Sequence, residues 1–212
     1  VGPDSAVTDS ATTDSATDSA AADTAVTDSG ATGSPSNARI HEVFVNMTIT
    51  GGDNIEWIEI AAPPGTPIEA LWLRVLDKTG KETFNRAVAD LGTKMSASGV
   101  WVVGGALATK TDKFYTLSDG WGLPGDGASI QLTRNDGIVA ELVDVVGYGA
   151  PATSTTAAEP KKLVEGTPAT LPASGTNNRS MGRKSTPGDT GDNATDFCVM
   201  TASPGAANGA CL

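Results

Sequence analysis

The sequence predicts an all-β fold, a β-sandwich over residues 39–212 preceded by a low-complexity extended tail over residues 1–38. Three observations carry that prediction. From Arg39 onward the apolar residues come in short runs with period-two character, the spacing that places alternate side chains on one face of a strand. Gly, Pro, Asn and Asp punctuate those runs where turns belong. No segment sustains apolar residues at i, i+3, i+4 and i+7, so helix is not expected to contribute. A chain of 212 residues suffices for one sizeable core and does not require two.

The tail comes first. Asp4-Ser5-Ala6, Asp9-Ser10-Ala11, Asp14-Ser15-Ala16, Asp18-Ser19-Ala20 and Asp23-Thr24-Ala25 form a degenerate repeat with no large side chain to bury. Ordering such a backbone costs about 1–2 kcal/mol per residue with nothing to offset it. Its charges are Asp4, Asp9, Asp14, Asp18, Asp23 and Asp28, with no Lys or Arg, so self-repulsion extends it. It reads as a solvated spacer. A second reading is a glycosylated stalk, because the triplets resemble the acceptor motif of a bacterial O-glycosylation system. Ser5, Ser10, Ser15, Ser19 and Thr24 are the acceptors in that case. N-glycosylation sequons at Asn46, Asn178 and Asn193 carry no weight, since about two would arise by chance in so Ser- and Thr-rich a chain.

Within the sandwich, Val43, Val45, Met47 and Ile49 alternate with Phe44, Asn46, Thr48 and Thr50 to give a first strand, and Gly51 to Asn54 turns the chain. Residues 55–60 return it, and Pro63-Pro64-Gly65 ends that strand because proline cannot donate to a ladder. Leu71, Leu73 and Val75 mark the next inward face, stopped by Asp77 to Gly80. Residues 100–103 and 114–117 are shorter candidates. Residues 129–134 and 138–146 flank Asn135-Asp136-Gly137, the strongest hairpin signal in the chain. Residues 149–177 read as a long surface excursion, and a final strand runs through residues 197–201. Val43, Val45, Trp57, Ile58, Ile60, Leu73, Val75, Val102, Ile130, Leu132, Val143, Val145 and Phe197 are the expected core.

Composition narrows the function. A net charge of -11 and only scattered Lys and Arg argue against nucleic acid, which demands clustered positive charge. Aromatics at 5% offer no stacking platform for single strands. No run of about 20 apolar residues is present, so no membrane span is expected. Low Lys+Arg with many Gly, Thr and Ala suits an exported β protein, with the leader removed before Val1. In an exported chain Cys198 and Cys211 most simply form one disulfide, closing a loop of about 14 residues worth roughly 3 kcal/mol. Inert thiols in a cytosolic protein are the alternative.

Catalytic signatures are weak. His41 is the only histidine and sits in a strand, and a Ser/His/Asp system needs one as proton shuttle. Gly104-Gly105 and Gly120-Trp121-Gly122 lack the strand-turn-helix context of a phosphate loop. Glu56, Glu59 and Glu141 read as solvent-facing strand residues rather than a glycosidase pair. The best ligand candidate is Ca2+, because Asp189, Asp192, Asn193 and Asp196 place several oxygen donors in one Gly-containing turn. Asx turns that shape the loop explain the same residues. No other cofactor is expected.

Taken together, Ile40-His41-Glu42-Val43, Trp57-Ile58-Glu59-Ile60, residues 142–148, Ser180-Met181-Gly182-Arg183, residues 189–193, Asp196-Phe197 and Pro204-Gly205 resemble the lamin-tail domain of bacterial surface proteins. The resemblance covers residues 39–208. It implies an immunoglobulin-like sandwich with Trp57, Ile58 and Ile60 in the core, Asp144 and Tyr148 on the strand after the hairpin, and no catalytic residues. Two positions depart from the family pattern: Ala62 replaces an Asn, and Leu71 before Trp72 replaces a Gly. The expected function is a non-enzymatic extracellular or cell-surface module whose partners are copies of itself or cell-surface components. It is either a subunit of a surface assembly or filament, or an adhesion or ligand-binding head on a stalk. A secreted hydrolase ranks below both.

Overall fold

A computed structural model of the chain describes residues 2, 34–46, 52–135, 140–176, 178–186 and 188–212. The glycan-acceptor triplets, Met47, Ile49 and the Asp136-Gly137 turn lie outside the described residues. The remainder is built from β1 (Arg39–Phe44), β2 (Trp57–Ala61), β3 (Leu71–Asp77), β4 (Glu82–Ala87), β5 (Val100–Gly105), β6 (Lys113–Tyr115), β7 (Gly127–Asn135), β8 (Ala140–Gly149), β9 (Arg179–Arg183) and β10 (Phe197–Thr201). A four-residue helix, α1 (Asn193–Asp196), precedes the last strand. The strands form a six-stranded sheet in the order β10-β9-β1-β2-β5-β6 and a four-stranded sheet in the order β4-β3-β7-β8. Ile40, Val43, Ile58, Ile60, Val103 and Met181 of the first sheet share one core with Leu71, Leu73, Val75, Phe84, Ile130, Leu132 and Val146 of the second. The fold is an all-β sandwich.

Alternation decides which faces these residues take. On β2, Ile58 and Ile60 point between the sheets, so Trp57 and Glu59 point away from them. Trp57 is buried as expected, but on the outer face of the six-stranded sheet. There it packs with Phe44 and Val102 under Ile55, Ala108 and Ala202. Val143 is half-buried, while the other expected core residues are buried. The first strand starts earlier than its apolar run, at Arg39, because a register shift between Ile40 and Glu42 lets both Ile40 and Val43 face inward. β7 and β8 pair as an antiparallel hairpin from Asn135–Ala140 to Gly127–Gly149.

Both glycine pairs have structural roles. A Cβ on Gly105 would lie 2.3 Å from the Asn54 carbonyl, so the chain before β2 passes too close to allow a side chain. Gly120 takes φ 87° to end the 3-10 turn Leu117–Asp119. Trp121 follows it into the core, edge-on to Phe84 at 5.0 Å.

Three of the four sheet edges are covered in part. On β8, Asn193 mimics a neighbouring strand: its Oδ1 accepts from the Gly147 N–H at 2.9 Å and its Nδ2 donates to the Val145 carbonyl at 3.0 Å. Ala169 continues that pairing with Gly147 and Gly149. On β4, Arg86 Nη1 donates to the Asn85 carbonyl at 2.8 Å, and the Tyr115 hydroxyl donates to that of Ala87. On β10, the Leu212 N–H donates to the Val199 carbonyl at 3.0 Å, and a Cys198–Cys211 disulfide holds the C-terminal segment there. β6, the remaining edge, is three residues long. No helix among the described residues is long and apolar enough to cross a membrane.

Candidate functional site

Two clusters of buried charge lie against the six-stranded sheet. The first centres on Arg183, which β9 delivers 6% exposed. Its Nη2 binds Asp144 Oδ2 at 2.8 Å, and its Nη1 lies 3.4 Å from Asp196 Oδ2 and 3.7 Å from Asp189 Oδ1. Its Nε donates to the Ile40 carbonyl at 3.1 Å, and the guanidinium stacks on Phe197 at 4.7 Å. One cation therefore ties β1, β8 and β10 to the closing turn. Asp144 also accepts the Ile40 N–H at 2.7 Å. Burial pushes its carboxyl up to about 6, against the pull of Arg183.

Of the four calcium candidates, Asp189 and Asp196 lie against this hub, and all four have protein partners. Asp189 pairs with Arg39 at 3.1 Å. Asp192 caps α1, taking the Thr195 N–H on Oδ1 and the Thr167 N–H on Oδ2, both at 2.8 Å. These backbone donors hold its carboxyl down to about 2. Asn193 is buried and bridges β8 to the Glu165 N–H. Asp196 accepts the Thr190 N–H at 3.0 Å and the Thr190 hydroxyl at 2.6 Å. Among the described residues, the carboxylates that converge closely enough to share a cation are Asp144, Glu165 and Asp189, so only Asp189 is common to both sets. Arg183 already supplies positive charge to two of the three.

The second cluster corrects the reading of Glu56 and Glu59 as solvent-facing. Both are buried, at 1% and 0% exposure, while Glu141 is exposed and paired with Arg134. Glu56 accepts the Asn46 N–H at 2.9 Å and the Leu123 N–H at 2.6 Å, closing one end of the sandwich. Glu59 stands directly opposite Glu42 across the β1–β2 ladder, and Glu42 is also fully buried. What covers them is the C-terminal segment. Glu42 accepts the Ser203 N–H and hydroxyl, both at 2.9 Å, and the Ser180 hydroxyl at 2.5 Å. Glu59 Oε2 accepts the Gly205 N–H at 2.6 Å.

Like charges opposed across a ladder repel, more strongly when buried. Burial pushes Glu59 up to about 7; Gly205 opposes the shift and Glu42 reinforces it. Glu42 is raised by burial as well. Glu59 Oε1 is buried without a hydrogen-bond partner, 3.9 Å from His41 Nε2. His41 is half-buried in β1, as its strand position implied. Burial and the nearby Arg183 charge lower its pKa, which favours neutral imidazole. Ser203 and Gly205 cover the pair, and burial favours the protonated form of both carboxyls.

No family model, curated protein or solved structure matches the chain.

Sequence reasoning found the closing-turn acids but not their hub. Arg183 is legible only as part of a short motif, because an Arg at the end of Arg-Ser-Met-Gly-Arg reads as a surface residue. The Glu42–Glu59 pair left no signal either, since an outward strand carboxylate is wet unless a distant segment covers it. Here that segment lies more than 140 positions further along the chain.

Proposed function

We propose that the chain is a non-enzymatic extracellular or cell-surface interaction module. In this reading a lamin-tail-like, immunoglobulin-like sandwich serves as a ligand-binding or adhesive head on the acidic tail. The observation that carries it is the partial covering of three of the four sheet edges, the fourth being the three-residue β6. Asn193 and Ala169 pair with residues 145–149 of β8, Arg86 and Tyr115 donate to two carbonyls of β4, and the disulfide-held C-terminus covers β10 at Val199. Strand addition needs a row of unpaired N–H and C=O groups, so a head that acts through its faces is favoured over a filament subunit that adds strands. The disulfide is compatible with an oxidising compartment. The short, acidic, core-free triplets of residues 1–38 suit a spacer that extends the head from its anchor.

Light scattering and negative-stain imaging of the full chain beside residues 39–212 test this reading. Both should remain monomeric at high concentration, with and without Ca2+, and should melt at the same temperature. Polymers that require the tail would establish the assembly reading instead. Intact mass of native material reports glycans on Ser5, Ser10, Ser15, Ser19 or Thr24 directly.

A further inference from the structure

The outer face of the four-stranded sheet is covered over only part of its length. At the covered end Leu76 of β3 is buried with Ala152 and Leu163 of the excursion that follows β8. Gln131 of β7 donates to the Pro160 and Lys162 carbonyls at 3.1 and 2.6 Å. Arg74 is the next outward residue of β3 and is 2% exposed. Its guanidinium reaches Glu82 at 2.7 Å, Gln131 Oε1 at 2.9 Å and the Ala158 carbonyl at 3.1 Å. Sheet and excursion are thus locked together by a buried polar network. Beyond Arg74 the excursion stops as a wall.

Past that wall the face opens into a groove of about 510 Å³, within the size range of ligand pockets. Alternation on β3 puts Trp72 on its floor, two residues from Arg74. Trp72 is half-buried and lies opposite Ala87 of β4 and Thr133 of β7. Those short neighbours leave room above the indole. Asn85, opposite Arg74 on β4, has its amide oriented by Glu82 at 3.3 Å. Charge at the rim balances: Arg74 and Lys81 face Glu82 and Glu159, although the whole chain carries -11. Such a groove does not select by charge. It offers one flat aromatic surface beside amide and hydroxyl groups that both donate and accept.

We propose that this groove binds a neutral saccharide, with the C–H face of a sugar ring against Trp72 and its hydroxyls bonded to Asn85 and, across the groove, to Thr156. Fixed walls favour this use, because a pre-formed site avoids the cost of ordering on binding. The proposal rests on the head reading and names the class of ligand the head takes.

The test presents the full chain to immobilised neutral oligosaccharides of hexose and pentose type, and to uronate- and sulfate-bearing ones. Hits are then titrated by calorimetry. Neutral oligosaccharides should be retained, and Trp72→Ala should weaken them at least about tenfold. Asn85→Ala, a change at an exposed edge strand, should weaken them while leaving the melting temperature near that of the parent. In two-dimensional NMR of the parent protein the ligand should shift the Trp72 indole N–H, assigned through Trp72→Phe, more than those of Trp57, Trp101 and Trp121. That measurement stands even if Trp72→Ala misfolds. Absence of neutral-sugar retention, preference for the acidic sugars, or equal affinity in Asn85→Ala with an unmoved Trp72 resonance each overturns the proposal. A chain that stays monomeric yet binds no sugar loses only this assignment. One that polymerises through its tail loses the head reading.

Discussion

Trp57 shows how far a single residue can be read from its neighbours. Its aromatic bulk within an apolar run marks it as buried, and it is 3% exposed. Which side it is buried on depends on what lies across the sheet. Ile58 takes the inner face, so the indole stacks on Phe44 at 5.8 Å with planes 9° apart, under loop and C-terminal residues. Glu59 beside it is buried against its solvent-facing pattern for the same reason: period two gives the face, and only tertiary structure says whether that face is wet. Trp57→Ala should cost on the order of 3–5 kcal/mol in denaturant-unfolding experiments, the range for aromatic truncation at a packed site. A loss below about 1 kcal/mol would mean that the outer cluster collapses around the gap or is not packed.

At the scale of elements, legibility tracked the number of inward apolar residues. β2, β3, β7, β8 and β10 each carry an apolar run and were all found. β4 buries only Phe84 among its side chains, and Glu-Thr-Phe-Asn-Arg-Ala does not alternate clearly enough to read as a strand. β9 is legible only through the family resemblance carried by Ser180 to Arg183, since Met181 is its only large apolar residue. Both are held by their partners' ladders rather than by their own hydrophobicity. The closing element, residues 202–212, is legible through Cys211 and its expected partner Cys198 in β10, and the Cys198–Cys211 bond is present. Its second task, covering Glu42 and Glu59 while capping β10, was not. Reduction should therefore do more than remove about 3 kcal/mol of loop-closure stabilisation. It should also loosen the cap on the β10 edge, so the reduced protein should melt lower and scatter more light on heating than the oxidised form at equal concentration. A reduced sample with unchanged melting and scattering would show that the non-covalent contacts of Ser203, Gly205 and Leu212 hold the segment alone.

For the whole molecule, the buried acids set an unusual pH profile. Glu59 is raised from 4.5 to about 7, Asp144 from 3.8 to about 6, and Glu42 is raised as well. Such a group binds its proton more tightly in the folded state, so its stabilisation is full below the unfolded value and is lost as pH rises through the folded one. Asp192 acts in the opposite sense. Its carboxyl is lowered from 3.8 to about 2, so its contribution is present above 3.8 and lost as pH falls through 2. Global charge works with the buried pair, because a chain of net charge -11 at pH 7 repels itself less once carboxylates are protonated. The stability maximum should therefore fall near pH 4–5, rather than at neutrality. Urea midpoints should decline from there to about pH 8, with Glu59 and Asp144 as the main contributors. Glu59→Gln removes the titrating proton but keeps the side-chain shape, so it should flatten that decline while leaving the acid limb set by Asp192 in place. A midpoint that rises steadily from pH 5 to pH 8 would mean that Glu42 and Glu59 are both ionised in the folded protein, and therefore that water reaches beneath residues 203–205.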